Sequence, residues 1–219
     1  MKSQHGDFFN HDVIAHEYDE DVLNEGDPIR TGYDAVLDWV SRHPAVVAAD
    51  HILDLGSGTG NLSLRLNSFK KLVCVDISDR MHAIARQKLS HLSAVEFVQA
   101  DLLGYFEDGP TFDAIISTYA IHHLTEDEKR LLFQKLYDSL EAGGAAVLGD
   151  LMFADKADEA RLRQKFADSH PAVVEAFDEE FFWYVDQAVG ALRVAGFGLD
   201  VEIKRFSDLS WGIAARKLV

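Results

Sequence analysis

From residue 51 onward, short apolar runs alternate with stretches of helical period. Continuous runs rich in Val, Ile and Leu are typical of strands buried on both faces, and helices between them favour parallel pairing. The pattern therefore predicts an α/β protein with a doubly wound, mostly parallel sheet. The predicted strands are His51–Leu55, Lys71–Asp76, 94–99, 112–117 and 145–151.

Two helices between these strands have recognisable ends. Ser78 can cap a helix that carries Met81 on its apolar face. Thr125, with Glu128 three residues later, forms the pattern of a capping box. The glycine pair at 143–144 predicts the end of this second helix.

Two further helices are predicted on the flanks of the sheet. Asp27 followed by Pro28 predicts a helix start upstream of the first strand, with Tyr33 on its apolar face. Another helix is predicted over 179–195 and closed by Gly196.

The last residues alternate between apolar and polar positions. The runs 199–206 and 211–217 are separated by four residues, a spacing that favours a hairpin. An antiparallel pair is therefore predicted to finish the otherwise parallel sheet.

The chain shows no fixed repeat and no low-complexity linker, so a single domain over residues 1–219 is predicted. Within it we expect a helical cap at 1–45 and an α/β core at 46–219.

Three glycines, Gly56, Gly58 and Gly60, directly follow the first predicted strand and lead into a predicted helix. Glycine permits positive φ and lets the backbone approach a ligand at the carboxyl end of a strand. Asp76 closes the second strand and Asp101 follows the third, so both carboxylates are expected at the same edge. A structural turn would explain the glycines and helix caps would explain each aspartate. Together they favour a nucleoside site.

The spacing of the glycines distinguishes two kinds of nucleoside site. A dinucleotide fingerprint has Gly-x-Gly-x-x-Gly, but here Gly60 comes one residue early and Asn61 takes the expected position. The spacing disfavours a nicotinamide-dependent oxidoreductase, which remains the first alternative function.

The ordered motifs resemble class I S-adenosylmethionine (SAM) dependent methyltransferases. The resemblance rests on Asp-Leu-Gly-Ser-Gly-Thr-Gly at 54–60, Asp76, Ala-Asp-Leu at 100–102 and Phe-Asp-Ala-Ile-Ile-Ser-Thr at 112–118. The segment 117–129, which contains His-His-Leu-Thr-Glu, further resembles small bacterial YrrT-type methyltransferases. The resemblance covers nearly the whole chain.

The resemblance implies a Rossmann-like sheet of seven strands, with the last strand antiparallel. It also implies SAM as cofactor, S-adenosylhomocysteine (SAH) as product, and in-line methyl transfer to a small-molecule acceptor. A non-catalytic SAM-binding regulatory protein is the second alternative function.

The same resemblance implies a set of cofactor contacts. Gly56 and its neighbours would face the amino acid part of SAM, Asp76 the ribose, and Asp101 with Leu102 the adenine. Asp54 could meet the ammonium group, and Tyr18 or Tyr33 could close over the sulfonium. The predicted cofactor-binding residues are Tyr18, Asp54, Gly56, Ser57, Gly58, Gly60, Asp76, Ile77, Met81, Asp101, Leu102 and Thr118.

Tyr119, His122 and His123 follow the fourth predicted strand, where this fold brings donor and acceptor together. An acceptor that loses a proton is helped by a nearby base, so these three are the candidate catalytic residues. Adjacent histidines on a regular backbone cannot point the same way, so we expect one to face the site. Capping or packing roles remain the alternative for both.

No metal is predicted. Asp150 and Asp155, after the fifth strand, provide a magnesium-assisted alternative, although two carboxylates five residues apart form a poor cage. The histidines near the N-terminus, at 5, 11 and 16, show no spacing typical of zinc.

Five aromatic residues lie between positions 177 and 184. They cannot all share one helical stripe, so some must face another surface. We expect the segment 152–195 to form a lid over a small, partly apolar acceptor, with Trp183 as its test residue.

Charge and composition exclude several kinds of partner. With 37 acidic against 21 basic residues the formal charge is −16, so nucleic acids are not expected as ligands. No apolar run is long enough to span a membrane. Because the only cysteine, Cys74, lies in an apolar run, we predict an inert buried thiol. We also expect a cytoplasmic protein that is a monomer or a homodimer.

Overall fold

A computed structural model of the protein describes residues 3–4, 18–24, 26–106 and 110–218. The helices are α1 (Tyr18–Asp21), α2 (Tyr33–Arg42), α3 (Pro44–Val47), α4 (Asp79–Lys88), α5 (Glu126–Asp138), α6 (Lys156–Phe166), α7 (Pro171–Glu179) and α8 (Val185–Ala195). The strands are β1 (His51–Leu55), β2 (Lys71–Asp76), β3 (Val95–Gln99), β4 (Phe112–Thr118), β5 (Leu140–Phe153), β6 (Trp183–Tyr184), β7 (Glu202–Arg205) and β8 (Ser210–Arg216).

Seven strands pair in the order β3-β2-β1-β4-β5-β8-β7. Strands β1 to β5 are parallel to one another, whereas β8 pairs antiparallel with both β5 and β7. The expected Rossmann-like sheet with an antiparallel C-terminal pair is confirmed. The short strand β6 pairs with the end of β5 and adds an eighth strand that the sequence pattern did not predict.

Apolar side chains cover both faces of the sheet, as parallel strands require. On one face Leu53 packs in a cluster with Leu132 of α5 and Leu192 of α8. On the other face Ile52 belongs to a cluster that includes Leu37 of α2. Successive residues of β1 therefore face opposite layers.

Two predicted helix starts are wrong. Asp27 accepts a hydrogen bond from the Ile29 N–H in a turn (2.9 Å), and the helix begins only at Tyr33, after Gly32 with φ of 87°. The helix predicted over 179–195 is divided, because β6 pairs with β5 between α7 and α8.

The end of α5 also differs from the prediction. The helix ends at Asp138, and the glycine pair 143–144 lies inside the fourteen-residue strand β5. The capping box of Thr125 and Glu128 and the cap of Met81 N–H by Ser78 are both confirmed.

In the described ranges, no helix combines the length and apolar character that crossing a membrane requires.

Candidate functional site

The carboxyl ends of β1 to β4 open on one cavity with an empty volume of about 830 Å³. The described residues that line it are Ser3, Tyr18, Tyr33, Gly56, Ser57, Gly58, Thr59, Asn61, Asp76, Ile77, Met81, Asp101, Leu102, Thr118, Tyr119, Ala120, His123 and Leu124.

The order of the strands arranges the predicted contacts along one edge. Asp101 follows β3, Asp76 ends β2, Gly56 follows β1 and Thr118 ends β4. All four line the cavity, in that sequence from one side to the other. The edge therefore runs from two carboxylates, past a glycine loop, to the turn after β4.

The glycine loop brings the backbone close to the cavity. Gly56 has φ of 74°, and a Cβ there would lie 2.4 Å from the Cβ of Ala120. Gly58 also has positive φ, 53°. The loop leads into a short 3₁₀ turn at Ser63–Arg65 and not into the expected α-helix. Glycine is required here by conformation and, at Gly56, also by space.

Ser57 adds a polar side chain to the same loop. Its residue is 7% exposed, and its Oγ receives no hydrogen bond from any of the described residues. A buried hydroxyl normally has a hydrogen-bond partner. Since Ser57 lines the cavity, its Oγ fits a polar group of a ligand.

Asp76 holds two backbone segments. One carboxylate oxygen accepts the Gly58 N–H at 2.8 Å, and the other accepts the Ser78 N–H at 2.9 Å. The side chain thus fixes the glycine loop relative to the start of α4, whose residue Met81 also lines the cavity. Asp76 is half-buried, so it can meet a ligand as well.

Asp101 is 7% exposed and also held in place. Its Oδ1 accepts the Leu103 N–H at 2.9 Å. The N-terminal segment adds two bonds, because Ser3 donates its N–H to Oδ1 at 3.0 Å and its hydroxyl to Oδ2 at 2.6 Å. This contact of Ser3 had no signal in the sequence.

A tether that sequence reasoning missed ties α1 to the glycine loop. Asp19 accepts hydrogen bonds from Thr59 Oγ1 at 2.6 Å, Asn61 Nδ2 at 2.9 Å and Lys88 Nζ at 2.7 Å. Burial opposes its charge, but the bonds from Lys88 and Thr59 hold the pKa of Asp19 below its usual value. The tether keeps Tyr18 at the cavity wall.

Three tyrosines form the aromatic part of the wall. The rings of Tyr33 and Tyr119 stack with centroids 5.1 Å apart, and Tyr18 lies under the Arg30 guanidinium at 5.8 Å. Burial raises the pKa of Tyr119 well above its usual value, against the hydrogen bond of its hydroxyl with Ser210 at 3.1 Å. Tyr119 therefore offers the cavity an aromatic face and keeps its proton.

Two predicted cofactor residues do not line the cavity. Asp54 is 1% exposed beneath the glycine loop, where its carboxylate accepts the hydroxyl of Ser63 at 2.5 Å. The Ser63 Oγ also lies 3.4 Å from the Sγ of Cys74, which is fully buried as expected. Gly60 has φ of 83° and packs against the side chain of Leu89, the residue that directly follows α4. Both residues support the loop from below.

Asp54 should make stability depend on pH. Burial raises the pKa of its carboxyl to about 7; the bond from Ser63 opposes this shift and the charge of Asp76 adds to it. A raised folded-state pKa means that ionising Asp54 destabilises the fold, so its stabilising contribution falls as pH rises through about 7.

We therefore expect Asp54→Asn to gain stability relative to wild type on going from pH 5.5 to pH 8, by about 2 kcal/mol. Urea unfolding of both proteins at the two pH values measures this difference. Asp79→Asn, on the exposed first turn of α4, is the control and should show no such change. A pH-independent difference between Asp54→Asn and wild type would contradict the assigned environment.

The two adjacent histidines lie on a 3₁₀ turn, Ile121–His123. His123 lines the cavity, whereas His122 is buried behind the wall. One histidine thus faces the site, as expected. On this irregular turn the two rings lie close together, with centroids 4.0 Å apart.

Asp150 and Asp155, the alternative magnesium pair, both have structural partners. Asp155 caps α6 by accepting the N–H groups of Ala157 and Asp158, both at 2.8 Å. Asp150 accepts four hydrogen bonds, including the Ile121 N–H at 2.8 Å. Asp150 lies within β5, directly after Gly149, which pairs with Thr118 at the end of β4.

The aromatic segment packs mainly against the sheet. Trp183 is 5% exposed, pairs through β6 with β5, and its ring lies 5.6 Å from that of Phe133. No residue of 152–195 is among the described residues that line the cavity. A lid formed by this segment stays a prediction, as do the proposed limits of the cap and core.

Residues 52–144 match the family model described as a methyltransferase domain. An uncharacterized methyltransferase of Oceanobacillus iheyensis is 30% identical over 210 residues, which cover 92% of each chain. The uncharacterized methyltransferase YrrT of Halobacillus halophilus is 28% identical over 96% of each chain.

Solved structures of low identity share the fold. The N-methyltransferase NodS of Bradyrhizobium japonicum, in complex with SAH, is 16% identical with a TM-score of 0.65, over 93% of this chain and 97% of that one. The magnesium protoporphyrin IX methyltransferase of Synechocystis PCC 6803, with bound SAH, is 18% identical with a TM-score of 0.69, over 97% of each chain.

Proposed function

Since the chain belongs to the YrrT-type family of SAM-dependent methyltransferases, we propose that it methylates a small, uncharged or cationic acceptor in the cavity at the sheet edge. SAM is the cofactor, in place of the nicotinamide that the first alternative required. The identity of the acceptor and the roles of single residues belong to the proposal.

Two features of the cavity support binding of SAM by this chain's own residues. At Gly58 no heavy atom of the described residues, its chain neighbours aside, lies within 4 Å of where a Cβ would stand, so the backbone there is open to a ligand, and the Ser57 Oγ presents a buried polar atom. We assign Asp76 to the ribose hydroxyls, Asp101 with Leu102 to the adenine, and the loop Gly56–Gly58 to the amino acid part. Asp54 supports this loop from beneath the cavity.

The order of these contacts gives the site a direction. Adenine and ribose would lie at the ends of β3 and β2, so the amino acid part would lie over β1. The next strand end along the edge is that of β4, which ends at Thr118. Tyr119 and His123 follow it in the chain, and all three residues line the cavity. The acceptor is therefore assigned to the space beside the turn after β4.

The charges of the wall favour the proposed class of acceptor. No Lys or Arg is found among the described lining residues, whereas Asp76 and Asp101 are both acidic. An anionic acceptor would meet repulsion, while an uncharged or cationic molecule would not. Apolar groups of Ala120 and Leu124, beside the turn after β4, suit a partly apolar body.

Bound SAM supplies an electrophilic methyl group on a sulfonium. The residues of this chain would contribute chiefly by placing the acceptor atom about 3 Å from that carbon and in line with the bond that breaks. The faces of Tyr18 and Tyr33 can stabilise the cationic sulfur. His123 places an imidazole on the wall beside the acceptor space, so we assign it to the acceptor atom as that atom loses its proton.

The single observation that carries this proposal is the ordered edge, in which two carboxylates, a glycine loop and a histidine-bearing turn line one cavity. The test is a metabolite screen with methyl-labelled SAM, read by mass spectrometry. We expect one or a few small molecules to gain the label, with SAH formed in equal amount.

Matched reactions with heat-denatured protein control for uncatalysed transfer. Labelling of added protein or nucleic acid, with no small molecule labelled, would contradict the proposed acceptor class. SAH binding without any transfer would instead favour the non-catalytic regulatory protein.

A further inference from the structure

Three potential metal ligands meet beside the cavity. His122, His123 and Glu180 each offer one ligand atom, and these atoms all lie within 4.8 Å of one another. The histidines come from the turn after β4, and Glu180 from the segment between α7 and β6. The three residues, which we call the His-His-Glu cluster, are brought together only by the fold.

The orientation of His122 is fixed by Asp150. The Nδ1 of His122 lies 2.5 Å from Asp150 Oδ1, which also accepts the Leu151 N–H, while Oδ2 accepts the N–H groups of Ile121 and His122. Both oxygens of Asp150 are acceptors, so Nδ1 carries the proton. The lone pair of a neutral ring is then on Nε2, which is the arrangement that supports metal-binding histidines.

Glu180 faces this nitrogen. Its Oε2 lies 3.5 Å from His122 Nε2, yet this buried oxygen receives no hydrogen bond from the described residues. Two acceptor atoms turned toward each other in a buried site need a cation between them. That cation is either a proton, giving an imidazolium, or a metal ion.

The backbone around Glu180 is held against the histidine turn. The Phe181 N–H donates to the carbonyl of His122 at 3.0 Å, and Lys129 Nζ donates to the carbonyl of Phe181. The ring of Phe182 packs edge-on against His122, with centroids 5.8 Å apart. The cluster is thus preorganised, with an aromatic ring packed against one of its ligands.

We propose that the His-His-Glu cluster binds one divalent first-row transition ion, for which Zn²⁺ is the best match. Two imidazole nitrogens and one carboxylate oxygen form a donor set that zinc accepts, and three protein ligands leave a fourth position open. Because His123 also lines the cavity, the open position faces the acceptor space. The sequence predicted no metal, since nothing in it related Glu180 to the histidines.

The role of the ion, unlike its binding, rests on the proposed function. A hydroxyl or thiol acceptor in the open position would lose its proton to solvent more readily, because the ion stabilises the anion. The electron pair of that oxygen or sulfur then forms the bond to the methyl carbon. The sulfonium–methyl bond breaks with its electron pair left on the sulfur of SAH. With the ion bound, His123 is a metal ligand and acts on the acceptor through the ion instead of as a base.

The test is calorimetric titration of Zn²⁺ into the untagged full chain after EDTA treatment, without SAM or acceptor. We expect one ion per chain, and Glu180→Gln should weaken binding at least ~10-fold. Glu179→Gln is the matched control, because the neighbouring carboxylate is exposed and lies outside the cluster. Comparing these variants separates the cluster from zinc bound by other histidines among the ten.

SAH titration provides the folding control, and Glu180→Gln should bind SAH as wild type does, since Glu180 does not line the cavity. Should this variant fail to fold, X-ray absorption of zinc-loaded wild type decides; two imidazole nitrogens at about 2.0–2.1 Å are expected. Absence of zinc binding in wild type, equal affinities of the two variants, or a zinc shell without imidazole would overturn the proposal. None of these results depends on methyl transfer.

Discussion

Asp76→Ala is expected to raise the dissociation constant for SAH at least ~100-fold. The variant removes the carboxylate that we assign to both ribose hydroxyls, and each hydrogen bond to a charged group contributes about 1.5–3 kcal/mol. It also releases the Gly58 N–H, which the carboxylate holds at 2.8 Å in the glycine loop. Isothermal titration with SAH measures the change.

Asp79→Ala is the matched control for this prediction, because it removes an exposed carboxylate three residues away in the same segment. Its affinity for SAH should equal that of wild type. Asp76→Asn, which keeps one acceptor oxygen, should fall between the two, and circular dichroism checks that each variant is folded. An Asp76→Ala protein that binds SAH within threefold of wild type would refute the ribose assignment.

His123→Gln is expected to lower kcat by about 100-fold, while SAH binds as it does to wild type. The imidazole lines the cavity beside the acceptor space, and groups that assist proton loss typically contribute factors of 10²–10⁴. The rate is measured with the acceptor that the metabolite screen identifies. A lower kcat with unchanged SAH affinity would show that His123 contacts the acceptor. A residue that only supported the fold would affect both quantities.

His91→Gln serves as the control, since His91 is exposed beyond the end of α4. Its kcat should be unchanged. If His123→Gln retained the full kcat, the assigned contact with the acceptor would be wrong. If its kcat and its zinc affinity fell together, the contact through a bound ion would gain support.

The part of the cavity edge that we assign to SAM could be predicted because its sequence signals are local. Gly56, Asp76 and Asp101 each stand at the end of a predicted strand, and parallel strands bring such ends to one edge. Asp150 differs, because it lies within β5; it directly follows Gly149, the partner of the last residue of β4, and this place beside β4 explains its contacts with the histidine turn.

Where local signals conflicted with sheet pairing, the prediction failed. The glycine pair 143–144 has the appearance of a helix end, yet Leu140 already pairs with Phe112 of β4. Gly143 adopts φ of 82° inside the strand, and a Cβ on Gly144 would lie 2.9 Å from the Asp113 carbonyl. The glycines therefore serve close packing of β5, which no local pattern reveals.

Contacts between distant residues had no signal at all. Asp19 bonds Lys88 across 69 positions, and Ser3 bonds Asp101 across 98. The approach of Glu180 to His122 depends on β6 and on the hydrogen bond between Phe181 and His122. Such contacts follow from chain topology, which a single sequence does not encode in any short pattern.

The burial of Cys74 makes the protein suitable for site-specific labelling. Burial raises the pKa of its thiol far above the usual value, and it is the only cysteine of the chain. Thiol reagents therefore spare it in the folded state, because they react with exposed thiolates. A cysteine introduced at exposed Glu20 of α1 would then carry a single fluorophore and report, without background, whether the N-terminal helix moves when SAH binds.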